Sequence, residues 1–165
     1  KKKKIDISSI NNASIDTSFY NFYDNFSAVE YLVQIVDSNI VPGSSIIVPP
    51  YFEMMRDLFS NYNLFFTEKH DGNLILGGPM TASPVLERMK ALLGNDYTNF
   101  PPLSSGMQNS SIRFIYNNLS EDTLLELNKM YPDYKYIITE KESNLNFRLL
   151  EQNNFWKLYL ISDSN

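Results

Sequence analysis

At 165 residues the chain is the size of one domain and can bury a core without help from staples. It has no cysteine and a single histidine, which excludes thiol catalysis, thiolate metal sites and disulfides and argues against a His-based zinc site or a Ser-His-Asp relay. The net charge of −5 includes four lysines at residues 1–4; without them Lys+Arg falls from 14 to 10 against 19 acids, so the body carries −9 and lacks the basic stripe that a nucleic-acid partner requires.

Residues 1–17 are polar with isolated isoleucines and read as a tether ahead of one domain at 18–165. No signal segment or membrane span is visible from Lys1 onward, so any such segment is expected upstream of it. Five aromatics crowd residues 18–26. Phe19, Phe22, Tyr23 and Phe26 stand at helical spacing, and the stripe runs on through Val29, Val33 and Val36, predicting a helix to residue 38. Tyr20 lies off that stripe and is the aromatic expected at the surface, a candidate ligand contact.

The segment VPGSS (41–45) is a turn and SIIVP (45–49) a short buried strand. Tyr51, Met54, Met55 and Leu58 predict a second helix over 51–61. Strands at 64–70 and 73–77 flank Asp71-Gly72, a strong hairpin signal. At that turn Glu68, His70 and Asp71 stand close in sequence; carboxylates beside an imidazole are a candidate acid–base or cation site, while a solvated turn is the plainer reading. The glycines of LGGPM (76–80) lack the spacing of a phosphate-binding loop, and no cofactor or metal is expected.

Ser83-Pro84 offers an N-cap and a first-turn proline for a helix that Gly94 ends. Residues 95–110 read as a long loop; loops of that length are functional or disordered. Its Tyr97, Phe100 and Met107 make it the leading candidate for ligand binding. SIRFIY (111–116) reads as a strand, Ser120 as the cap of a helix with Glu121 and Asp122 in its first turn, and 134–141, 145–151 and 155–161 as three closing strands.

FFTEKHDGNLIL (65–76) and IITEKESNLNFR (137–148) share a Thr-Glu-Lys and a polar turn, and SSI precedes each, at 44–46 and 110–112. The expected fold is α+β: an antiparallel sheet with helices packed on one face, its strands and helices falling into two units of αβαββ order, 27–78 and 83–151. That order reflects either a duplication or the common grammar of such folds. Thr, Glu and Lys at alternating positions are read as a solvated strand face, and Glu140 and Glu142 as paired surface acids.

The ending NFRLLEQNNFWKLYLIS (146–162) resembles the closing hairpin of cystatin-like and NTF2-like domains, which implies that Trp156 packs beneath a helix. The Lys-rich polar start, the absence of cysteine and the acidic, Asn-rich body resemble uncharacterised lipoproteins of low-GC Gram-positive bacteria. That resemblance implies a lipid-modified cysteine upstream of Lys1 and a location outside the cell membrane, but no activity. The expected function is a non-catalytic, membrane-tethered module that binds a protein, peptide or envelope ligand; the alternative is a hydrolase or transferase using the carboxylates near His70.

Overall fold

The computed structural model describes residues 26–51, 58–66, 79–94 and 105–161. They form four helices and a five-stranded mixed sheet, an α+β fold. In chain order these are α1 (Phe26–Asn39), β1 (Ser45–Ile47), β2 (Asn63–Leu64), α2 (Pro79–Leu93), α3 (Ser105–Asn117), α4 (Glu121–Met130), β3 (Tyr134–Glu140), β4 (Arg148–Gln152) and β5 (Trp156–Leu160). No helix among the described residues is long and apolar enough to cross a membrane.

Across the sheet the order is β2-β1-β3-β5-β4. β1 runs parallel to both β2 and β3, whereas β5 runs antiparallel to β3 and β4. The sheet is therefore not wholly antiparallel. Hairpin chemistry predicts only the β4–β5 end correctly; β1 reaches β3 across most of the chain, a pairing no local signal announces.

Helices cover both faces, not one. Side chains alternate across a strand, and the core divides accordingly. Ile46, Ile138, Trp156 and Leu158 face Leu32, Ile35 and Val36 of α1. Their sequence neighbours Ile47, Ile137 and Tyr159 turn the other way, onto Met89 and Leu92 of α2, Ile112 and Tyr116 of α3, and Leu124 and Leu127 of α4. The apolar runs in β1 and β3 are the composition expected of strands buried on both faces.

Several ends match their residue chemistry. Ser120 caps α4, its hydroxyl accepting from the Thr123 amide at 3.2 Å, with Glu121 and Asp122 in the first turn where the helix dipole favours acids. Gly94 ends α2 with φ +87°, a conformation that side chains with a Cβ disfavour. Trp156 is fully buried, and its indole Nε1 donates to the Ala28 carbonyl at 2.8 Å, fastening β5 beneath α1.

Other elements differ from expectation. Residues 111–116 belong to α3 and form no strand: the buried Ser111, Ile112, Ile115 and Tyr116 recur with helical spacing, and that period outweighs the β propensity of Ile, Phe and Tyr. The same helix shortens the loop expected over 95–110, because it starts at Ser105. α2 starts at Pro79, leaving Ser83 and Pro84 inside it where a cap was expected. Of the strand expected at 64–70, the described part pairs with β1 through Leu64, with Asn63 ahead of it, and Phe65 donates its amide to the Ile46 carbonyl; residues 67–78, with the rest of the Asp71-Gly72 hairpin, lie outside the described residues. SSI contributes to β1 at 44–46 but is helical at 110–112, so among the described residues the second stretch does not show the αβαββ order.

Candidate functional site

None of the expected site residues is brought into a described constellation. Tyr20, Glu68, His70, Asp71, Tyr97 and Phe100 lie outside the described residues, and Met107 belongs to α3. Among the described residues, one polar assembly stands at each end of the parallel strands.

The first is at the carboxyl end. The chain leaves β1 towards β2 on one side and leaves β3 towards β4 and β5 on the other. In open sheets with parallel strands, such a divergence leaves a crevice beyond the strand ends, the usual seat of a ligand. Here protein side chains occupy that position. Glu140, the last residue of β3, is 3% exposed. Arg113 of α3 grips it with both arms of the guanidinium, Nε to Oε1 at 2.7 Å and Nη2 to Oε2 at 2.8 Å. Tyr51, four residues past β1, donates its hydroxyl to Oε1 at 2.5 Å.

Glu140 and Thr139 are thus buried, not part of a solvated face, and Glu142 lies beyond the strand in an exposed turn, so the two acids do not form a surface pair. Tyr116 backs the cluster, its ring edge-on to Tyr51 with centroids 5.9 Å apart and its hydroxyl donating to the Ile138 carbonyl at 2.6 Å. Burial, and secondarily the Glu140 charge, hold the Tyr116 phenol well above its ordinary value. A carboxylate with a forked cation and a phenol already bonded to it is an arrangement for holding α3 and the β1 exit onto β3.

The second place is an open groove of about 390 Å³ across the amino ends of β2, β1 and β3, reached at Asn63, Ser45 and Tyr134 respectively. Tyr62 forms part of its wall, Arg88 approaches from α2, and Asp133 precedes β3. Asn63 is held in place by its side-chain amide, which donates to the Gly43 carbonyl at 3.0 Å; Gly43, at φ +90°, returns a backbone bond to Asn61 at 2.7 Å. The Tyr62 hydroxyl is turned away, donating to Asp37 Oδ1 at 2.9 Å. Burial, then the hydrogen bond to Asp37 and its negative charge, push the phenol up to about 12.

That shift has a sign. The unfolded phenol loses its proton near 10, so the stability held by neutral Tyr62 is complete below about pH 10 and is lost as pH rises towards about 12. Urea midpoints are expected to fall between about pH 9.5 and about pH 11.5, and ultraviolet titration of the folded chain should show tyrosines that ionise only above that range. A Tyr62→Phe chain whose alkaline loss is as steep as that of the unaltered chain would show that this phenol is not responsible.

Neither place was legible from motifs. Arg113 and Glu140 are 27 residues apart, Tyr51 and Glu140 are 89 apart, and the groove draws on three strands, a helix and a turn. Comparison with protein-family models, with curated proteins and with solved structures gives no match.

Proposed function

We propose that the protein is a non-catalytic module held outside the cell membrane by a lipid anchor upstream of Lys1, and that it binds a protein, peptide or envelope ligand in the groove at the amino ends of the parallel strands. The observation that carries the binding reading is the groove itself. It is open, framed by backbone that short turns fix in place, and it gathers hydroxyl, amide, cationic and anionic groups beside aromatic rings. Ligand sites commonly combine apolar walls with a few placed polar groups. The buried carboxylate at the opposite end is engaged by Arg113 and Tyr51, which suits a structural role.

Residues 1–17 support the tether. Four lysines beside a lipid anchor gain roughly 1 kcal/mol each from anionic headgroups, and the polar stretch after them serves as a spacer. The resemblance of this start and of the acidic, Asn-rich body to Gram-positive lipoproteins points the same way.

Two measurements test the proposal. Mass spectrometry of the native protein after membrane fractionation should find a diacylglyceryl-modified cysteine preceding Lys1; an unmodified amino terminus in the soluble fraction would sink the tether. For the groove, random phage-displayed peptides selected on the immobilised chain should lose binding to the Ser60→Arg variant, which adds a bulky side chain at an exposed position of the groove lining. Undiminished binding by that variant would move the ligand site elsewhere.

A further inference from the structure

We infer that the protein pairs with a second copy of itself through β4, edge to edge and antiparallel, with Arg148 of each copy bound to Glu151 of the other. This surface is separate from the groove and does not depend on it.

β4 ends the described sheet, whose order is β2-β1-β3-β5-β4. The hydrogen bonds fix which of its backbone groups face outward. Ile161 donates to the Lys135 carbonyl at 2.7 Å, so by alternation Tyr159 and Lys157 also face β3. Leu149 and Gln152, which stand opposite those two residues, therefore turn their amides and carbonyls to the outer edge of β4. Such an edge is a template for another strand.

The charges on β4 select the partner. Arg148 and Glu151 are three residues apart and would point to opposite faces of a regular strand. The bulge between Leu149 and Glu151 brings them to the same face: Arg148 stands opposite Leu160 and Glu151 opposite Leu158, on the side that α1 covers. Both are exposed. A cation and an anion on one face of an edge complement themselves about a two-fold axis. With Leu149 opposite Gln152 of the other copy, each Arg148 lies diagonal to the other copy's Glu151, within reach of long side chains. Parallel pairing in register would set like charges side by side.

The backbone suits the same register. In the single chain Glu151 Oε1 accepts from the Gln152 amide at 3.2 Å. In the pair, the Leu149 carbonyl of the other copy takes that amide and releases the carboxylate to arginine. Leu149, 43% exposed, is covered in the process. The interface is one five-residue strand a side, so the dissociation constant is expected at roughly 100 µM.

The test is sedimentation equilibrium of the full chain from about 10 µM to about 1 mM, a range that brackets this constant. A monomer should pass to a dimer, and exchange of the Leu149 and Gln152 amides, followed by nuclear magnetic resonance, should slow over the same range. Arg148→Glu and Glu151→Arg, both exposed changes, each place like charges across the axis and should weaken the dimer by about tenfold or more. The chain carrying both changes restores opposite charges and should recover to within about threefold of the unaltered chain.

A monomer throughout, with both amides exchanging freely, would overturn the inference. So would a monomer with both amides protected, which would place another segment of the chain on this edge. A dimer indifferent to either charge reversal would put the contact on a different face and overturn it equally.

Discussion

Glu140→Gln is expected to lower the unfolding free energy by about 3 kcal/mol, because it removes the charge that both arms of the Arg113 guanidinium bind in a buried site. At a urea dependence of about 2 kcal/mol per molar, the midpoint falls by about 1.5 M. The amide keeps the shape of the carboxylate but replaces one acceptor oxygen with a donor NH₂ that faces guanidinium donors. Arg113 is only 19% exposed, so water compensates little. Replacing both residues by methionine should be milder than Glu140→Gln, since an apolar pair leaves no stranded charge. A midpoint change below about 0.3 M for Glu140→Gln would show that the cluster holds nothing together.

Trp156→Ala should cost about 4 kcal/mol, the loss typical of deleting a buried tryptophan. The side chain is fully buried between α1 and the sheet, and its removal also deprives the Ala28 carbonyl of a donor. Trp156→Phe keeps an aromatic ring and loses the indole bond, for a cost of about 1–2 kcal/mol. Thermal melts followed by circular dichroism rank the two. Equal losses would mean that the single hydrogen bond, and not the packing, fastens α1. Because Trp156 is the only tryptophan, fluorescence of the unaltered chain reports directly on this interface.

Local chemistry was readable in the sequence wherever one segment decides its own structure. Ser120 with Glu121 and Asp122 announced α4, Gly94 announced the end of α2, and the run 155–161 announced the last strand. The helical run of Ile112, Ile115 and Tyr116 was equally available, but it was outweighed by the β propensity of SIRFIY. Coverage of both sheet faces also had a signal, in the adjacent apolar residues Ile46-Ile47 and Ile137-Ile138 that a one-sided sheet would not bury. What the sequence withheld depends on distant partners. Glu140 reads as one more surface acid until α3 is laid over β3, and Ser45, Asn63 and Tyr134 become neighbours only through the parallel register. Pairings between distant segments follow from topology, which no short window contains.

The same parallel pairing governs the order in which a nascent chain can become a protein. Ile46 meets its β3 partner, Tyr136, some 90 residues later, and Ala28 waits for the indole of residue 156. Emerging from the ribosome, α1 and β1 soon meet β2 with Phe59 and Tyr62, but the β3 and β5 side chains that complete their core come much later. Such long separations slow folding, because loop closure costs entropy before the contacts repay it. The unfinished chain meanwhile exposes strand edges and apolar faces to its neighbours. A ribosome stalled before codon 156 would release a product lacking β5 and its indole, so α1 would lose Trp156 and Leu158 from the surface it lies on. Synthesis of β5 commits α1 to its place.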